Sequence, residues 1–161
     1  MENPSNNKII SEVFARYIRT KIGWEYNVIL PKQTNEPKFD ALLVSEGHEN
    51  LLLQLKQPII FQSVEYILSK STAKVFDGSP ILIKETVKKA EEKYKERAKD
   101  LILILHLDEG YFIPSDYSQI DRNDFICSTF KGIYMVSPEC EFWKDGKEIQ
   151  KEFVCEIKNA F

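Results

Sequence analysis

The chain reads as an α/β domain, and three observations predict it. An amphipathic helical stretch opens the sequence, two apolar segments separated by a short polar turn suit paired strands, and a lysine-rich helical stretch runs straight into Leu101–Leu107. That last run is almost unbroken in its apolarity, as expected of a strand covered on both faces. With 161 residues and 43% apolar content, the chain is expected to fold as one domain, 1–161, around one sizeable core.

Taken in order, Ile10, Val13, Phe14, Tyr17, Ile18 and Ile22 recur at helical spacing and Gly23 follows as a stop, which predicts a helix over 8–21. Trp24 to Leu30 alternates as a strand. Two prolines mark 31–37 as a connector, and Pro37 to Val44 and Leu51 to Lys56 then read as two strands of a hairpin. Gln57-Pro58 ends the second of these strands, and Ile59, Ile60, Ser63, Ile67 and Leu68 suggest a short helix before an Asp77-Gly78 turn. A longer helix is expected with Ser79 as N-cap and Pro80 at its first position, its apolar face made by Ile83, Val87, Ala90, Tyr94 and Ala98. The core order predicted is αβββααβ, over 8–107. Beyond it, 108–161 reads as a C-terminal α+β extension: short strands at 111–113 and 133–136, a polar, turn-rich stretch at 114–124, a turn at Lys144-Asp145-Gly146-Lys147, and a final segment. In that segment Ile149, Phe153, Val154 and Ile157 suit a helix, while Phe153, Cys155 and Ile157 alternate as in a strand.

The net charge of −3 is unevenly spread: residues 1–107 carry 16 basic and 14 acidic side chains, against 6 and 11 in 108–161. A polyanion is therefore expected on the first two thirds, and a strongly basic nucleic-acid coat is excluded. Cys127, Cys140 and Cys155 form no CxxC pair and have no histidine nearby to complete a zinc site, so they are expected as reduced, buried packing residues. No secretory signal pattern opens the chain and no apolar run is long enough to span a bilayer, so a cytoplasmic protein with no membrane contact is expected. Phosphate-loop, dinucleotide, GxSxG and HExxH motifs do not occur.

The hairpin carries the chemistry. If Ser45 to Glu49 form a five-residue loop centred on Gly47, Val44 faces Asn50, Leu42 faces Leu52 and Asp40 faces Gln54, with Lys56 two residues further along the same face. A carboxylate, an amide and an ammonium at the end of an otherwise apolar hairpin are costly to bury without a use. Polar residues facing water at a sheet edge are the competing explanation, but the apolar runs on both sides argue for a central position. Cleaving a phosphodiester calls for a hard cation on oxygen ligands and a cationic side chain to stabilise the charge that develops on phosphorus.

Phe39-Asp40 before apolar residues, Gln54-Leu55-Lys56 closing the next strand and the order of flanking elements resemble the PD-(D/E)xK nuclease superfamily, its Mrr-like and RecB-like branches in particular. The resemblance implies a restriction-endonuclease-like mixed sheet flanked by helices and Mg²⁺- or Mn²⁺-dependent hydrolysis of DNA. It implies a metal held by Asp40, the Leu55 carbonyl, Gln54 and Glu12, with Lys56 as catalytic lysine. The pattern departs from the family in two respects: Pro37 stands three residues before the aspartate, and Gln54 replaces the usual second acid. Loss of that charge weakens cation binding, so the alternative reading is an inactive nuclease-fold domain that binds nucleic acid or a protein partner. Gln62-Ser-Val-Glu-Tyr66 matches the QxxxY motif of the RecB-like branch, though it lies close to Lys56.

Other polar residues have simpler roles. Glu12 can pair with Arg16 one turn along the helix, His48 sits in a turn, and His106 is expected to make a structural hydrogen bond. Lys84 to Lys99 contains seven basic and four acidic residues, of which Lys88, Lys95 and Lys99 could follow a phosphate backbone. A chain this size without a separate recognition domain is expected to work as a homodimer or with a partner.

Overall fold

The computed structural model describes residues 4–32, 39–60, 72–74, 80–107, 120–138, 141–150 and 152–161. Its centre is a six-stranded mixed sheet. Helix α1 (Pro4–Ile22) leads into β1 (Asn27–Ile29), β2 (Ala41–Ser45) and β3 (His48–Lys56), which form an antiparallel meander. A small antiparallel sheet of β4 (Ile59–Ile60), β5 (Thr72–Lys74) and β6 (Pro80–Leu82) precedes α2 (Ile83–Tyr94) and a 3-10 turn (Lys95–Asp100). β7 (Leu101–Leu105) then lies parallel to β3, and β8 (Gly132–Ser137) parallel to β7. A hairpin of β9 (Glu141–Lys144) and β10 (Lys147–Gln150) leads to β11 (Phe153–Lys158), which closes the order β1-β2-β3-β7-β8-β11.

The helices take opposite faces of this sheet. On the α1 side, Ile10, Val13, Phe14 and Ile18 pack with Ala41, Leu43, Leu51, Leu53, Leu55, Ile102 and Ile104. On the α2 side, Ile83, Val87 and Ala90 pack with Leu101, Leu103, Leu105, Ile133 and Met135, and Leu52 leans on this second core. Alternate residues of β3 therefore serve different layers, and every residue of β7 is buried. Because β8 and β11 complete the same sheet, segment 108–161 is built into the core layers. No helix among the described residues is long and apolar enough to cross a membrane.

Several expectations need correction. The β2–β3 turn is tighter than a five-residue loop: Ser45 pairs with His48, Glu46-Gly47 makes the reversal with Gly47 at φ +83°, and the register shifts between Leu43 and Ser45. Glu49 and Asn50 thus oppose Val44 alone, a bulge that restores the expected Leu42–Leu52 pair. α2 starts at Ile83 with Leu82 as N-cap and no side-chain cap, because Pro80 opens strand β6 opposite Lys74. Ile59 and Ile60 are strand where a helix was expected. Of the two readings of the C-terminal segment the strand holds: it is β11, which pairs with β8 from Phe153↔Ser137 to Lys158↔Ile133. Cys155 is buried as expected but Cys127 is exposed. Pro37, the QxxxY stretch 62–66, the 77–78 turn, Ser79, the 111–113 strand and Cys140 lie outside the described residues.

Candidate functional site at the ends of the parallel strands

β2 begins at Ala41, while β3 runs on to Lys56 beside β7. Where the two strands part, the Leu55 N–H needs another acceptor, since an unpaired backbone group is costly once water is excluded. Asp40 provides it. Its Oδ2 accepts from the Leu55 N–H at 2.8 Å and from Gln54 Nε2 at 2.6 Å, and its own backbone N–H donates to the Leu53 carbonyl at 2.9 Å. The register from Leu42–Leu52 through Ala41–Leu53 leads straight to this contact. Asp40 and Gln54 are both half-buried.

Lys56, also half-buried, follows Gln54 by two residues and shares its face, the one toward α2. Its carbonyl accepts the His106 N–H at 3.1 Å, which ties the ends of β3 and β7 together with His106 fully buried. Just beyond, the Ile59 N–H donates to Thr86 Oγ1 at 2.9 Å, and Thr86, itself fully buried, donates to the Leu82 carbonyl at 2.5 Å. The first turn of α2 is thereby anchored next to the chain leaving Lys56. Open α/β sheets bind ligands in the crevice beyond the carboxyl ends of their parallel strands, and Asp40, Gln54 and Lys56 stand at that end of β3.

Glu12 is not brought to this group. It lines a separate cleft with Arg16, Arg19, Glu25, Tyr26 and Val28, between α1 and β1, and α1 covers the sheet face away from Gln54 and Lys56. Arg16 binds Glu152 through a bidentate contact that, with a smaller contribution from Glu12, strengthens its hold on its proton, so the expected Glu12–Arg16 pair is secondary. Among the described residues, no three His, Cys, Asp or Glu side chains converge as a metal-binding group.

Two features escaped the sequence reading. Leu55 contributes its N–H to Asp40, a role signalled only by β3 outrunning β2. His48 begins β3 and stacks on Trp24 with ring centroids 4.1 Å apart, where a simple turn residue was expected. Comparison with family models, with curated proteins and with solved structures finds no match for this chain.

Proposed function

We propose that this chain is a metal-dependent nuclease of the restriction-endonuclease-like type, acting on DNA at the Asp40–Gln54–Lys56 end of β3. The observation that carries the reading is the 2.6 Å contact between Asp40 and Gln54 at the carboxyl end of a central strand. The succession of α1, a three-stranded meander, α2 and a parallel strand supports the same reading.

A cation of the Mg²⁺ type is commonly held by one or two carboxylates, with water and substrate phosphate completing its shell. A half-buried carboxylate with an amide and a strand-end carbonyl beside it is a donor set of that kind, so the residues present fit. Asp40, Gln54 Oε1 and the Leu55 carbonyl would hold the ion; Glu12 has no part in this set. When bound, such an ion neutralises phosphate oxygens and acidifies a water. Leu55 fixes the orientation of the Asp40 carboxylate through its backbone N–H, and Gln54 keeps one carboxylate oxygen in register. Lys56 contributes a flexible point charge toward the phosphate.

The fact that both hydrogen bonds converge on Asp40 Oδ2 favours one other reading: a strand-end cap retained in a nuclease-fold domain that binds nucleic acid or a protein without cutting. Incubation with plasmid and single-stranded DNA in Mg²⁺ or Mn²⁺ separates the two. Cleavage that disappears in Asp40→Asn and Lys56→Ala supports the nuclease. Binding without cleavage supports the second reading, and neither binding nor cleavage removes both.

A further inference from the structure

We propose that the β1 edge and the adjoining flank of α1 form a two-fold interface between two copies of this chain. β1 is the last strand on its side of the sheet, and its outer backbone groups have no strand partner among the described residues. Asn27 and Ile29 are exposed, Ile29 to 49%, so the edge presents both hydrogen-bonding groups and apolar surface. Such an edge is a template for another strand.

The neighbouring charges select the occupant. The cleft along this edge, of about 320 Å³, is walled by α1 through Glu12, Arg16 and Arg19. Arg16 is committed to Glu152, whereas neither Glu12 nor Arg19 forms a salt bridge among the described residues. Glu12 and Arg19 are seven residues apart, two helical turns, and so lie on one flank. A foreign strand would have to bring a matching pair of charges with matching spacing. A second copy already has it: a two-fold axis sets α1 antiparallel to its mate, with Glu12 of each copy opposite Arg19 of the other and Ala15 opposite Arg16. An isologous contact needs this kind of self-complementarity. Antiparallel β1–β1 pairing uses the same axis, so one operation serves both the strand edge and the two charges that form no salt bridge among the described residues. The proposal does not depend on the nuclease reading.

Sedimentation velocity of the full chain across a concentration series tests it. The wild-type protein should dimerise. Arg19→Glu alone and Glu12→Arg alone should each weaken the dimer about tenfold or more, since two symmetric attractions become repulsions. The double variant Glu12→Arg/Arg19→Glu should recover it, with circular dichroism confirming the fold of each variant. A monomer at every concentration would overturn the proposal, as would a dimer indifferent to both single reversals or one that the double reversal fails to restore.

Discussion

Gln54 donates its side-chain amide to Asp40 Oδ2 across 2.6 Å, and the same oxygen receives the Leu55 N–H. Asp40 therefore has a structural duty apart from any chemistry, and substitutions can separate the two. Asp40→Ala should destabilise the protein by about 1–3 kcal/mol, because the Leu55 N–H loses its acceptor in a half-buried site. Asp40→Asn should cost much less: its amide oxygen, placed where Oδ2 stands, can still accept from both Leu55 and Gln54. Urea denaturation should rank wild type and Asp40→Asn together above Asp40→Ala, while metal-dependent cleavage is lost in both variants. Cleavage by Asp40→Asn at the wild-type rate would remove Asp40 from the chemistry.

Gln54→Glu supplies the second acid that a metal-dependent nuclease of the proposed type would carry here. Without metal, it replaces a hydrogen-bond donor by a second carboxylate against Asp40, so the melting temperature in a chelator should fall below that of wild type. A divalent cation held at the proposed site would stabilise the folded state and reverse this loss. Titrating Mn²⁺ should raise the melting temperature of Gln54→Glu by more than it raises that of the wild-type protein. Equal shifts in the two proteins would mean that this end of β3 does not hold the ion.

How far the sequence reaches is clearest around this pair. Leu42 facing Leu52 is enough to bring Asp40 and Gln54 together, because strand side chains repeat every second residue and the bulge near Gly47 leaves that register intact. Gly23 as the stop of α1 and Asp145-Gly146 as a turn were equally readable: Gly23 has φ +77°, and the turn residues have φ +53° and +75° between paired Lys144 and Lys147. The start of α2 was not, since Ser-Pro serves a helix start and a strand start alike. Nor was β11 settled by periodicity: it is a strand because β8 needs a neighbour, a long-range requirement invisible in a local window. Glu12 follows the same logic. Its position on α1 is legible, but which sheet end it faces depends on packing.

The C-terminal tail should be unusually sensitive to one small substitution. A Cβ on Gly132 would stand 2.4 Å from the Ala160 Cβ and 3.1 Å from its Cα. The tail cannot easily retreat, because the Ala160 N–H donates to the Tyr134 hydroxyl at 3.0 Å and that hydroxyl donates to Asn159 Oδ1 at 3.2 Å. Gly132→Ala is expected to cost about 1–3 kcal/mol by overpacking. Adding Ala160→Gly should recover part of the loss, measured by urea denaturation of all four proteins in a double-mutant cycle. Strict additivity would mean that the two residues do not meet.

The buried thiol of β11 sets an alkaline limit on stability. Burial, opposed in part by Arg122, pushes Cys155 up to about 11 from an ordinary value of 9.0. In the unfolded chain the thiol ionises near its ordinary value, while the folded protein keeps its proton. The contribution is therefore complete below pH 9, declines as pH rises from 9 toward 11, and amounts to a loss on the order of 2 kcal/mol across that window. Burial raises the Tyr134 phenol as well, adding a loss of the same sign above its ordinary value of 10.0. Cys155→Ala lowers stability at pH 7 by leaving a small void, yet it should flatten the decline between pH 9 and 11, because the titrating group is gone. Urea denaturation from pH 7 to 11 reads both effects at once. Iodoacetamide should modify exposed Cys127 readily while Cys155 resists until the protein unfolds. A Cys155→Ala profile parallel to that of the wild-type protein would show that the thiol does not govern the alkaline side.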